Sequence, residues 1–255
     1  MSPEKISATF RSGTDMTSDQ NSQETTPNPQ VVAIGIFRPA KRIHRSLLAG
    51  VEKKALVWMA ERAPRWINSD HLTLLGLFSM VGAGAAYWAS RWDPRWLWLA
   101  SLGIALNWLG DSLDGTLARV RDQQRPRYGF YVDHVVDAIS TLALFTGVAA
   151  GGVMSWAMAA AVVLAYYLLF IEVGLTTHAL GEFEISAGLF GPTELRLLLI
   201  AGNAKAAFNA HVHMFGHAFL LYDVGGACAV AGMVGIFVHR TVKHTATLYR
   251  QETIR

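Results

Sequence analysis

The sequence predicts an all-α integral membrane protein with six transmembrane helices preceded by an amphipathic juxtamembrane helix. Of its 255 residues, 52% are hydrophobic and only 16% are charged, which is typical of a chain with several membrane spans. Apolar segments long enough to cross a bilayer recur along the chain, with short polar stretches between them. The single cysteine excludes an intrachain disulfide bond.

The chain before the first span divides into two segments of different composition. Residues 1–30 are polar, which predicts a disordered tail, and they contain no cleavable signal peptide. Residues 31–66 are basic, and their apolar residues recur at helical spacing. This pattern predicts a helix on an anionic membrane surface, with a helix packed against protein as the alternative. We expect the membrane domain at 67–240 and a cytoplasmic C-terminal tail at 241–255.

The six predicted spans follow in order at about residues 72–90, 96–112, 131–151, 154–177, 195–213 and 218–238. An even number of spans places both termini on the same side of the membrane. Most Lys and Arg residues outside the spans fall on that side, and only Arg91, Arg95 and Lys205 fall on the other. This bias predicts cytoplasmic termini, in the cytoplasmic or inner membrane of a bacterium.

Four aspartates flank the loop between the second and third predicted spans. Asp111 and Asp114 end one span, and Asp133 and Asp137 begin the next. Spacings of three and four residues place each pair on one helix face. Four acids at the mouth of membrane helices repel one another unless a cation joins them. Because carboxylate oxygens suit Mg²⁺ or Mn²⁺, we expect two such ions about 3.5–4 Å apart.

The residues between the two acid pairs are suited to a phosphate ligand. Gly115 and Ala118 remove side-chain bulk from the acid face, so a ligand can approach the backbone. Arg119 offers a planar guanidinium group to phosphate oxygens. Gly129 allows the chain to turn before the second acid pair. The segment therefore predicts a site for a phosphorylated ligand beside the metal ions.

Residues 111–137 follow the order D-x2-D-G-x2-A-R-x9-G-x3-D-x3-D. This order resembles the signature of the CDP-alcohol phosphotransferase (CDP-alcohol phosphatidyltransferase) family and matches it at every signature position. The resemblance implies transfer of a phosphatidyl or other substituted phosphoryl group from a CDP-linked donor, such as the lipid CDP-diacylglycerol, to an alcohol. CMP is released, and the product enters phospholipid biosynthesis. It also implies a small or lipid alcohol acceptor, contact with membrane lipids and a homodimer; no nucleic acid partner is expected.

The resemblance also assigns roles to individual residues. The four metal ligands are Asp111, Asp114, Asp133 and Asp137. Asp133 and Asp137 are the expected catalytic residues, with Asp137 as general base for the acceptor hydroxyl group. The residues expected along the CMP moiety of the donor are Gly115, Ala118, Arg119, Gly129 and Asp114.

Three residues outside this segment are candidates for binding the acceptor. Glu172 lies about one turn inside the predicted fourth span, where an acid either faces the site or makes a structural hydrogen bond. Glu194 and Arg196 begin the predicted fifth span. Arg196 either binds an acceptor phosphate or marks the membrane boundary. Since it has few basic neighbours, the sequence gives little support to a phosphorylated acceptor.

Three histidines, His211, His213 and His217, are spaced in a way that can bind a transition metal. They fall on the side opposite the acids, so interfacial histidines without a metal are the favoured interpretation. Two alternative functions compete with the transferase. One is a non-catalytic scaffold or lipid-binding member of the same fold. The other is an intramembrane prenyltransferase, although such enzymes resemble longer chains whose two acid motifs lie far apart.

Overall fold

A computed structural model describes the chain at residues 49–180, 192–214 and 216–252. Several predicted segments fall wholly or partly outside these residues: the tail at 1–30, the first part of the juxtamembrane segment, much of the loop before Arg196, and the last three residues.

The described residues form seven helices and one antiparallel hairpin. In chain order these are α1 (Ala49–Arg62), α2 (Ser69–Ala89), α3 (Trp96–Val120), α4 (Pro126–Ala150), α5 (Trp156–Leu180), α6 (Pro192–Phe208), β1 (His211–Met214), β2 (His217–Leu220) and α7 (Leu221–Gln251). The predicted all-α class is correct except for the hairpin. Helix α7 continues past the predicted domain boundary at residue 240.

Helix α2 lies against both α3 and α4, and glycines permit the close contacts. A Cβ atom added to Gly147 of α4 would lie 2.0 Å from the carbonyl oxygen of Gly84 in α2. A Cβ atom at Gly110 of α3 would lie 2.6 Å from the carbonyl oxygen of Leu72. Small residues allow membrane helices to approach closely, since dispersion contacts rather than the hydrophobic effect hold them together. The three helices therefore form one tightly packed unit.

A buried polar network joins α6 to its neighbours. The amide group of Asn203 donates to the Ser101 hydroxyl at 3.0 Å and accepts from the Tyr87 hydroxyl at 2.7 Å. The Tyr222 hydroxyl of α7 also donates to Asn203. Because an unpaired polar group is costly away from water, these bonds fix the rotation of α6 about its axis.

Helix α1 packs on the bundle through one face. Leu56 and Ala60 are buried in a cluster with Leu72, Leu113 and Leu117. Lys53, Lys54 and Trp58 on α1 are exposed. One face of α1 therefore packs against protein, as the alternative interpretation expected. A membrane-surface role for its exposed face stays a prediction.

Each predicted span overlaps one helix of the structure, from α2 to α7. Four of these, α2, α4, α5 and α7, are long and apolar enough to cross a membrane. Helix α3 carries two acids and an arginine near its end, and α6 has only 17 residues. By length and composition, four helices are therefore able to cross a membrane, and the count of six spans stays a prediction.

The ends of the last two predicted spans were wrong. Span 195–213 ran into β1 and span 218–238 began in β2, because apolar hairpin residues raise local hydropathy as helical residues do. The register pairs His213 with Ala218, and Met214 with His217. Since alternate residues face opposite sides of a strand, His217 lies on the opposite face from His211 and His213. This register gives the three histidines no common face for a metal.

Candidate metal centre

The two acid pairs meet where α3 ends and α4 begins. A five-residue connection, 121–125, joins these helices, so the carboxylates at its two ends lie side by side. One ligand oxygen from each of Asp111, Asp133 and Asp137 lies within 4.8 Å of the others. The side chains of Asp111 and Asp133 are 31% and 40% exposed. The structure thus brings three of the four predicted metal ligands into one cluster that remains open to solvent.

Asp114, the fourth predicted ligand, lies one turn further along α3 and interacts with α2. Its carboxylate accepts a 2.7 Å hydrogen bond from the Thr73 hydroxyl, and its carbonyl oxygen accepts one of 2.9 Å from Ser69. Asp114 lies beyond the predicted span 96–112. Its pKa is raised to about 7, chiefly by burial; the bond from Thr73 opposes the rise, and Asp111 and Asp133 add to it. A cation at this carboxylate therefore competes with a proton near neutral pH.

An open cavity of about 340 Å³ lies over the acids. It contains every residue of the predicted signature except Asp137: Asp111, Asp114, Gly115, Ala118, Arg119, Gly129 and Asp133. Asp137 lies in the carboxylate cluster instead. The spacing in the sequence therefore corresponds to a single concave site.

The space in this cavity depends on its small residues. A Cβ atom at Gly129 would meet nothing within 4 Å, so this glycine borders open space. At Gly115 the nearest atom is Nη1 of Arg119, at 3.4 Å. Arg119 is exposed and donates to the Thr116 hydroxyl at 3.0 Å, which directs its guanidinium group along the cavity wall. The arrangement leaves room for a ligand between the arginine and the acids.

Several cavity residues were missed by the sequence analysis, or left undecided. Thr177 comes from α5, and Gln123 and Tyr128 lie in and after the loop. No local pattern marks them, because they reach the cavity through tertiary packing. Thr73 of α2 also lines the cavity. Asn68, just before α2, caps that helix by accepting from the His71 backbone N–H at 3.0 Å.

The acceptor candidates lie in different surroundings. Arg196 donates to Asp111 at 2.7 Å and is not among the described residues that line the cavity. Glu172 is buried, and both of its carboxylate oxygens have partners in the structure: Arg240 at 2.8 Å on one, and Thr176 and His244 at 2.8 and 2.6 Å on the other. These contacts correspond to the second of the two interpretations of Glu172, an acid that makes structural hydrogen bonds rather than one that faces the site. Glu194 lies in the first turn of α6, and its side chain is outside the described part.

The donor set suits a hard divalent cation. The three clustered ligands are all carboxylates, and the cluster is open toward a cavity rather than closed by further protein ligands. Mg²⁺ and Mn²⁺ prefer oxygen ligands and keep positions free for water or phosphate oxygens. The residues therefore fit the predicted ions.

The described residues thus combine long apolar helices, a carboxylate cluster that could hold a metal ion, and a glycine-lined cavity beside it. The family model for CDP-alcohol phosphatidyltransferase matches residues 66–236, so the chain belongs to this family, as predicted. Membership and the apolar helices identify an integral membrane transferase that uses a CDP-alcohol. No curated protein has a significant match to the chain.

Proposed function

We propose that the protein transfers a phosphatidyl group from a CDP-linked lipid, such as CDP-diacylglycerol, to the hydroxyl group of an alcohol. The observation that carries this proposal is the cavity in which Asp111, Asp114, Asp133, Gly115, Ala118, Arg119 and Gly129 converge. Family membership supports the reaction class, and the convergence supports this cavity as the place where it occurs.

Asp111, Asp114, Asp133 and Asp137 would hold Mg²⁺ or Mn²⁺, which would neutralise charge on the donor's two phosphates and on the leaving CMP. Arg119 binds a phosphate oxygen of the CMP moiety by charge-assisted hydrogen bonds. Gly115, Ala118 and Gly129 leave space for the nucleotide against the backbone.

The acceptor oxygen forms a new bond to the phosphorus of the phosphatidyl group, and the bond from that phosphorus to the CMP oxygen breaks. Asp137 takes the hydroxyl proton in this step, because it belongs to the carboxylate cluster, where bound metal ions would also acidify the acceptor hydroxyl group. CMP leaves with the electron pair of the broken bond. The active site faces the cytoplasm, where the nucleotide is released.

The test is CMP release from CDP-diacylglycerol by the purified protein in lipid nanodiscs with Mn²⁺ or Mg²⁺. The acceptor panel contains serine, inositol, inositol 1-phosphate, glycerol 3-phosphate and a phosphatidyl lipid. Release that requires one alcohol and stops on chelation supports the proposal and identifies the acceptor. Metal-dependent CMP binding without release from this donor would contradict the donor assignment. Absence of both CMP binding and release would favour the non-catalytic member of the fold.

A further inference from the structure

Arg196 contacts the acid cluster directly. Its Nη2 atom lies 2.7 Å from Oδ2 of Asp111, and its side chain is only 16% exposed. Asp111 in turn lies within the group whose ligand oxygens approach one another within 4.8 Å. A partly buried guanidinium–carboxylate pair of this length is stronger than an ion pair in water, because less solvent screens it.

The position of α6 makes this contact part of the fold. Arg196 and Asn203 are seven residues apart and therefore share one face of α6. On that face Asn203 bonds to Ser101 of α3 at 3.0 Å, and Arg196 bonds to Asp111 of the same helix. Thr193 donates to Glu52 of α1 at 3.4 Å. Polar contacts thus hold α6 against its neighbours on both sides of Arg196.

Arg196 reaches Asp111 without entering the donor cavity. Within the described chain the cavity wall comes from α2, α3, the following loop, α4 and Thr177 of α5, whereas α6 supplies none of it. A side chain that bound an acceptor phosphate inside this cavity would line it. The position of Arg196 therefore differs from the position expected of a residue that binds the acceptor.

We propose that Arg196 is the built-in counter-cation of the acid cluster. It compensates part of the repulsion between the carboxylates before divalent ions bind, and it competes with those ions for Asp111. Arg196 is accordingly a positioning residue that sets metal affinity, and this inference rests on the proposed metal-dependent function.

The test compares the wild type with Arg196→Gln and Arg196→Lys in nanodiscs, without donor or acceptor. Thermal unfolding is measured in EDTA and in saturating Mn²⁺, and Mn²⁺ binding is titrated by electron paramagnetic resonance of the free ion. Arg62→Gln is the matched control, because it removes an equal charge from an exposed arginine of α1.

Arg196→Gln is expected to unfold at a lower temperature in EDTA, yet to bind Mn²⁺ about tenfold more tightly, since a competing positive charge has been removed. Its metal-induced stabilisation should therefore exceed that of the wild type. Arg196→Lys keeps the charge and should bind Mn²⁺ within about threefold of the wild type. The control should match the wild type in Mn²⁺ affinity and in metal-induced stabilisation.

Unchanged unfolding in EDTA together with unchanged Mn²⁺ affinity in Arg196→Gln would overturn the inference. Weaker Mn²⁺ binding would also overturn it, because Arg196 would then assist the metal rather than compete with it. If the Arg196→Gln variant can be purified in folded form only when Mn²⁺ is present, that result would support the inference. If Arg196→Gln cannot be purified at all, Arg196→Lys decides, and a tenfold change in its affinity would overturn the inference. Failure of CMP release by the wild type would contradict the proposed function and leave these binding results standing.

Discussion

Asp114 and Asp111 lie on the same helix, but their contacts differ. Asp114 accepts a hydrogen bond from Thr73 of α2, whereas Asp111 pairs with Arg196 of α6. An asparagine at position 114 retains an oxygen that can accept the Thr73 bond, but it removes the charge. Substitution at this position can therefore separate the charge that the proposed metal site requires from the contact that holds α3 to α2.

Asp114→Asn is expected to lower CMP release by about 10²–10³-fold or more, the range for loss of one preorganised electrostatic group. The variant should remain folded and extractable, because the bond to Thr73 persists. The control is Asp93→Asn, an equal charge change in the loop before α3, at the opposite end of that helix. Normal turnover in Asp114→Asn would contradict the metal site.

Arg119→Ala is expected to weaken CMP binding by about 10–100-fold, since charged hydrogen bonds contribute about 1.5–3 kcal/mol. The measurement is isothermal titration of CMP in the presence of Mn²⁺. Arg127→Ala is the control, because this arginine lies near the cavity without being among the described residues that line it. Equal CMP affinity in the two variants would mean that another group binds the phosphate.

Among single residues, those of the signature were predictable because their spacing is local. The helices that carry Asp111 and Asp137 are joined by one short loop, so helix periodicity and the short connection together predict neighbouring acid pairs. The presence of Thr177 in the cavity wall and the pairing of Arg196 with Asp111 were not predictable, since both depend on how distant helices pack. Glu172 shows the same limit, because its pairing with Arg240 joins residues of two different helices.

Helices α2 and α4 cross through backbone contact at Gly84 and Gly147. The number and order of the helices followed from hydropathy, which repeats on the scale of a membrane span. The hairpin could not be predicted from hydropathy, because four-residue strands are too short for their periodicity to be distinguished from that of a helix end. The crossing itself was also not predicted, since the sequence does not indicate which glycines meet.

Gly147→Ala is expected to destabilise the protein by about 1–3 kcal/mol, the usual cost of overpacking. Its Cβ atom would lie 2.0 Å from the carbonyl oxygen of Gly84, so the helices must separate. Thermal unfolding in one detergent measures the effect. Gly174→Ala in α5 is the control, because a Cβ atom there meets nothing within 4 Å. Equal stability of the two variants would contradict the close crossing.

The described helical bundle carries different side chains at its two ends. The acids lie where α3 ends and α6 begins, and the histidine-bearing hairpin follows the other end of α6, about 25 Å away at 1.5 Å per residue. The charge bias of the sequence predicts that the acid end faces the cytoplasm. Large apolar side chains remain exposed along the helices, as expected for surfaces that contact lipid or a second subunit of the predicted homodimer.

Introduced cysteines can test this orientation in a Cys228→Ala background, which removes the protein's only thiol. His213→Cys in the hairpin should react with a membrane-impermeant maleimide in intact cells, since this position is exposed on the predicted outer side. Gln251→Cys at the end of α7 should react only after permeabilisation. The opposite labelling pattern would place the acid end outside the cell.

Helices α2 to α4 and their loops supply every described residue of the cavity wall except Thr177. Nearly all of the wall of the cavity that we propose for the donor therefore belongs to one continuous stretch of chain. Apart from Thr177, the described residues of α5 to α7 do not line the cavity, so most sequence changes in these helices leave its wall unchanged. Under the proposed function, such a division would let the acceptor alcohol change while the donor-binding wall stays constant, so that one reaction could yield several different lipid products.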